Sequence, residues 1–133
     1  LLLNNGGLYK TVKFKNPKYI GDPINAIKIF NDKEADEIMV LDIAASKSGQ
    51  KPNFSLIKNF ASECFMPLSY GGGISTVDDA KKLFEIGVEK ISIQSSAIND
   101  LKIIEKISKI FGSQSIIFSI DIMDWCLSSP AIC

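Results

Sequence analysis

Three consecutive glycines, Gly71, Gly72 and Gly73, come directly after an apolar run and lead into Ile74, Ser75 and Thr76. Glycines placed there let backbone N–H groups approach a phosphate without side-chain obstruction, and a helix opening near Thr76 adds its positive end. The same triplet also serves as a plain strand-to-helix turn, and taken alone it supports both readings. Gln94 and Ser95 close another apolar run and bring amide and hydroxyl donors, which favours the anion pocket. Asp42 and Asp121 each end an apolar run as well, where a carboxylate either caps the next loop or acts as a general acid/base. Each alone reads as a cap; both on one rim bring proton transfer into play. Glu37 and Lys90 lie at the opposite ends of such runs, where the ordinary reading is an ion pair or two solvated charges of little weight.

The elements that must position these residues follow a regular rhythm. Residues 1–3 read as a short strand, and residues 4–21 as a long polar loop containing Gly6-Gly7, Asn16-Pro17 and Lys10, Lys13, Lys15 and Lys18. Asp22-Pro23 is an N-cap and first helical residue for a helix with its apolar stripe at Ile24, Ile27 and Phe30. Residues 38–41 form a continuous buried-strand run that ends at Asp42. A helix over 53–63, a strand over 65–70 and a helix opened by a capping-box-like Thr76 and Asp79 follow, the last carrying Val77, Ala80, Leu83 and Phe84. A strand at 91–93, a helix at 101–111 closed by Gly112 and a strand at 116–120 complete the series.

Strand and helix alternate with short connections, which predicts a parallel sheet with crossover helices. A weak repeat, in which Ala26, Phe30 and Glu37 recur as Ala80, Phe84 and Lys90, is about a quarter of a barrel long. It suits a (β/α)8 architecture better than a doubly wound sheet. About five strands and four helices make the N-terminal half of a TIM barrel, which closes at roughly 250 residues. In that frame Asp42, the glycines, Gln94, Ser95 and Asp121 stand on the catalytic rim, and Glu37 and Lys90 on the floor.

Composition excludes several classes. The 133 residues are 46% hydrophobic and 23% charged, with 15 basic and 15 acidic side chains, so no net charge points to nucleic acid or an anionic membrane. Histidine is absent, which removes His-based triads, metal sites and general bases within this stretch, and no metal or cofactor is expected. Cys64, Cys126 and Cys133 have neither metal-ligand nor disulfide-framework spacing and fit reduced thiols in a cytoplasmic protein. No apolar run is long enough to span a bilayer. The start within an apolar run without methionine, and the aperiodic residues after about Met123, predict a piece of a longer protein or a changed reading frame. The expected division is a half barrel over 1–122 and an unrelated or disordered tail over 123–133.

The segments GDPINAIKIFNDKEADEIMVLDIAAS, PLSYGGGISTVDDAKKLFEIGVEKISIQSSAI and KIFGSQSIIFSIDI resemble the HisF family, the cyclase subunit of imidazole glycerol phosphate synthase, from residue 1 to about 122. That resemblance implies a phosphorylated or nucleotide-linked substrate at the barrel top and a HisH-like glutaminase docked at the bottom, delivering ammonia. Carried over by motif, Gly72 and Gly73 with Gln94 and Ser95 hold one phosphate, and Asp42 lies at the substrate site. The family more often has Asn and Thr where Gln94 and Ser95 stand here. Lys10 matches a lysine of the loop after the first strand, and Asp121 the acid/base aspartate after the fifth. Glu37 and Lys90 match two members of the charged ammonia gate, and Glu89 an acidic position at the glutaminase interface.

One departure matters. Leu2 occupies the position of an aspartate that partners Asp121 in cyclisation, and leucine cannot shuttle a proton. This pattern resembles a branch whose members work in acetamidino modification of bacterial surface sugars, and that branch is the favoured expectation. The alternatives are a histidine-pathway cyclase, a non-catalytic docking scaffold, and an inactive fragment.

Overall fold

The computed structural model describes residues 1–13, 15–94 and 100–120. Its seven-stranded sheet has the order β3-β2-β1-β4-β5-β6-β7. The parallel part consists of β1 (Leu2–Asn4), β4 (Ile38–Asp42), β5 (Leu68–Gly71), β6 (Lys90–Ile93) and β7 (Ile116–Phe118). Between them run α1 (Pro23–Asp32), α2 (Ile43–Ser48), α3 (Phe54–Glu63), α4 (Val77–Ile86) and α5 (Leu101–Phe111), the last followed by a 3-10 turn at Ser113–Ser115. The chain thus forms half of a (β/α)8 barrel, with five parallel strands and four full-length helices among the described residues, as the alternation predicts.

Several features depart from the sequence expectation. Residues 4–21 are not a loop. They contain the antiparallel strands β2 (Gly7–Val12) and β3 (Lys15–Gly21), which extend the sheet beyond β1. The cause is local: Asn5 and Gly6, at φ 47° and 81°, form a two-residue turn of the twist that hairpins favour. Tyr9 then meets Tyr19 edge to face, with ring centres 5.6 Å apart. Second, the short α2 follows β4 immediately, because Asp42 Oδ1 accepts the Ala45 N–H at 3.0 Å and Gly49 closes the helix at φ 64°.

The remaining helix ends fall where the sequence places them. The Asp22 side chain accepts from Asn25 N at 3.0 Å with Pro23 behind it, and Asn53 Oδ1 accepts from Leu56 N at 3.1 Å. Gly112, at φ 90°, ends α5. The strand expected from Phe65 begins only at Leu68, since Asn31 Oδ1 takes the Phe65 N–H at 3.1 Å and Asn31 Nδ2 donates to Glu63 O at 2.7 Å. This leaves the Phe65 ring 87% exposed on the strand-start side of the sheet.

Residues alternate across the sheet. Ile38, Val40, Leu68, Tyr70, Ile91 and Ile93 face the helices and share a core with Ile27, Phe60, Leu83 and Ile107. Full burial of each such side chain contributes roughly 1.5–3 kcal/mol. The opposite face carries Leu2, Met39, Leu41, Ser69, Gly71, Lys90, Ser92 and Ile117, the inner wall of the half barrel. Among the described residues no helix is long and apolar enough to cross a membrane.

Candidate functional site

On the floor, Lys90 opens β6 and Glu37 immediately precedes β4, with β5 between them. Lys90 Nζ reaches Glu37 Oε1 at 3.2 Å and Oε2 at 3.5 Å. Ser69, the β5 residue in register with Lys90, donates its hydroxyl to the same Oε1 at 3.0 Å. The Ser69 bond first, and then the Lys90 bond and charge, hold the Glu37 carboxyl below its ordinary value. The charged side chains are 39% and 41% exposed while Ser69 is fully buried, so the cluster joins solvent to the inner wall. Higher on that wall the Ser92 and Ser119 hydroxyls share a 2.6 Å hydrogen bond. Leu2 lies opposite Leu41 and keeps the neighbouring wall apolar.

At the strand tops the glycines have a stringent packing reason. A Cβ on Gly72, which has φ 127°, would land on the Asp42 carbonyl oxygen, and one on Gly73, at φ 70°, on that of Gln50. A Cβ on Gly71 would come within 2.8 Å of Ser92 Cβ and 2.9 Å of Leu41 Cδ2. The turn is therefore pressed between β4 and the loop that joins α2 to α3. Beyond it the capping box is formed: Asp79 N donates to Thr76 Oγ1 and Thr76 N to Asp79 Oδ2, each at 3.1 Å.

Two cavities of about 240 Å³ each flank this turn. One is bordered by Asn5, Asp42, Gln50 and Lys51, the other by Ser75, Thr76, Asp100 and Lys106. The first borders the loop that covers the glycines and the second the N-terminal ends of α4 and α5.

The expected residues are distributed as follows. Gly72, Gly73, Asp42 and the half-buried Gln94 gather at the strand tops, with Asp42 engaged as the cap of α2. Alternation turns Asp42 to the helix side, near the buried Tyr70 hydroxyl, without hydrogen-bonding geometry between them. Burial first, and the Asp42 charge second, push the Tyr70 phenol well up, so it stays protonated. Lys10 is exposed on β2 opposite Lys18, away from the glycines along the hairpin. Ser95, Asp121 and the 123–133 tail lie outside the described residues. Glu89, next to Lys90, is exposed. Among the described residues no group of His, Cys, Asp or Glu could hold a metal ion.

The structure adds residues that the sequence expectation omits. Ser69 and Ser92 are small hydroxyls at inner-facing positions of otherwise apolar strands, a usable signal once the facing is known. Lys51, 3.6 Å from the buried Asp79, has no sequence signal, because α2 and its following loop hide the relation.

The family model described as "Histidine biosynthesis protein" matches residues 3–130. A Pseudomonas aeruginosa protein named for imidazole glycerol phosphate synthase subunit hisF2 is 60% identical over 121 residues, covering 91% of this chain and 48% of that protein. One from Leptospira interrogans, named for subunit HisF, is 52% identical over the same shares. One from Vibrio vulnificus, named for subunit hisF3, is 49% identical over 100% of this chain and 51% of its own length. The chain spans about half the length of the curated relatives it matches.

Proposed function

The chain belongs to the histidine biosynthesis protein family, and within it we propose that this half barrel serves a HisF-type synthase subunit that accepts ammonia from a glutaminase partner. The observation that carries the proposal is the floor cluster. Glu37 and Lys90 satisfy each other at the strand-start end of the inner wall, and Ser69 hands their hydrogen bonding inward. The paired side chains close this end of the wall, and ammonia passes when the lysine swings aside and meets the Ser69 hydroxyl. Glu89 and the exposed Phe65 ring border this end and fit a docked glutaminase.

At the other end, Gly72 and Gly73 with Gln94 and Ser95 hold the anionic end of a phosphorylated or nucleotide-linked substrate. Asp42 holds the local chain in place by capping α2, and Lys10, on β2 away from the glycines, meets the ligand when the hairpin closes toward the rim. Asp121 acts as acid/base. Residues 1–122 form the functional half barrel in this reading, and 123–133 a separate tail.

The favoured branch is acetamidino modification of surface sugars, and Leu2 supports it. On the inner wall beside Leu41 a leucine offers no proton where cyclisation needs a second acid. The retained Asp121 favours the second reading, a histidine-pathway cyclase. Turnover of the cyclase substrate by the full-length protein with ammonium decides between them: a rate like that of an intact cyclase overturns the argument from Leu2. For the gate itself, Lys90→Met is expected to cut glutamine-driven turnover about tenfold or more while sparing ammonium-driven turnover, since free ammonium bypasses the gate. Equal losses with both nitrogen sources would refute the channel role, and no turnover with either would leave docking alone as the function.

A further inference from the structure

We propose that Asp79 and Lys51 form a clamp holding the α2–α3 loop down on the glycine turn, with Asp79 as the positioning residue for an anionic ligand bound there. The ligand half of this proposal rests on the anion reading given above. The clamp itself rests on contacts.

The Asp79 side chain is 1% exposed, and a carboxylate is costly to bury unless its oxygens are partnered. Its Oδ2 accepts from Thr76 N at 3.1 Å, Ser75 Oγ at 3.2 Å and Ser75 N at 3.3 Å. A capping box needs the Thr76 bond alone. The two Ser75 bonds extend the grip one residue back toward the glycines.

The second oxygen does something a cap does not require. Asp79 Oδ1 has no hydrogen bond and lies 3.6 Å from Lys51 Nζ. Lys51 follows Gln50, whose carbonyl oxygen fills the space where Gly73 would carry a side chain. One carboxylate therefore bears on both sides of the same contact. Its Oδ2 fixes the chain leaving the turn, and its Oδ1 draws in the loop that covers the turn.

Position and charge make opposite demands here. A carboxylate beside an anion site repels the anion, so if Asp79 acted by its field alone, removing its charge would tighten binding. If it acts by holding the backbone donors in place, removing the charge weakens binding although the local potential becomes more favourable. The sign separates positioning from electrostatics.

The test uses the full-length protein, inorganic phosphate as the probe, and hydrogen exchange at the Ser75 and Thr76 amides without ligand. Lys51 is 67% exposed, so Lys51→Met leaves the core intact. It is expected to speed exchange at both amides about tenfold and weaken phosphate binding about three- to tenfold, with Lys51→Arg restoring both. Asp79→Asn is expected to weaken phosphate binding as well. Unchanged exchange in Lys51→Met overturns the clamp, and tighter phosphate binding in Asp79→Asn overturns the positioning role. If the unmutated protein takes up no phosphate, the anion reading fails by itself, and the exchange comparison still decides the clamp.

Discussion

The two ends of the inner wall solve opposite problems with the same kinds of atoms. At the floor, Glu37 and Lys90 remain 41% and 39% exposed and are steered by one buried hydroxyl. At the top, Asp79 is sealed at 1% exposure and three donors converge on one of its oxygens. The floor pair can part without exposing apolar surface or stranding a buried charge, as a gate requires. The top carboxylate cannot move without releasing the turn it holds. An ion pair is a moving part or a fixture according to what water can replace when it opens.

The largest effect that would break this contrast is at Gly73. Gly73→Ala places a methyl on the Gln50 carbonyl at a φ of 70° that alanine tolerates poorly. Overpacking and backbone strain together are expected to cost about 3 kcal/mol, read as a lower denaturation midpoint. Ser92→Ala, on the mid-wall, should cost about 1 kcal/mol, the loss of one hydrogen bond to Ser119. If Gly73→Ala proved no worse than Ser92→Ala, the top would be as compliant as the middle of the wall.

How much of this was legible in the sequence follows from how far each relation reaches along the chain. Asp22 with Pro23, Asn53, and Thr76 with Asp79 announce helix starts because a cap acts across three residues. Asn5-Gly6 carries an equally local hairpin signal, but the surrounding lysines carry a solvation signal that predicts a loop, and the turn geometry prevails. The floor triad requires the register of three strands: Glu37 meets Ser69 and Lys90 only because β5 lies between β4 and β6. The glycines are visible as a motif, yet their crowding against Asp42 and Gln50 depends on how β4 and the α2–α3 loop seat on the turn. Sequence identifies residues able to do chemistry at both ends; packing determines which of them can move.

A smaller effect concerns the wall behind the turn. The Tyr70 hydroxyl is buried without a hydrogen bond, although Asp42 is near. Tyr70→Phe removes the unpaired polar atom and is expected to leave stability unchanged or raise it by about 1 kcal/mol. A loss of that size instead would mean that Tyr70 and Asp42 bond in solution, and that the fixed region at the top extends to the Asp42 cap.

The smallest effect is the pH response of the two carboxylates. Burial raises the Asp79 pKa, but the Thr76 and Ser75 hydrogen bonds and the Lys51 charge outweigh it and hold the group below its ordinary value. Glu37 is also held low, by Ser69 and then Lys90. For a depressed carboxylate, the stabilisation is fully present above the unfolded pKa, around 4, and is lost as pH falls through the lower folded value. Both ends should therefore be intact at neutral pH and loosen only in acid. The contrast lies in what is lost with the proton. Protonating Glu37 frees an exposed lysine and should barely change stability, with Glu37→Gln flat against pH beside the unmutated protein. Protonating Asp79 weakens the acceptor that gathers Ser75 and Thr76, so acid should lower the exchange protection of those two amides, measured against the intrinsic rate at each pH, before global unfolding. Acid-induced opening confined instead to the residues around Glu37 and Lys90 would reverse the assignment of gate and fixture.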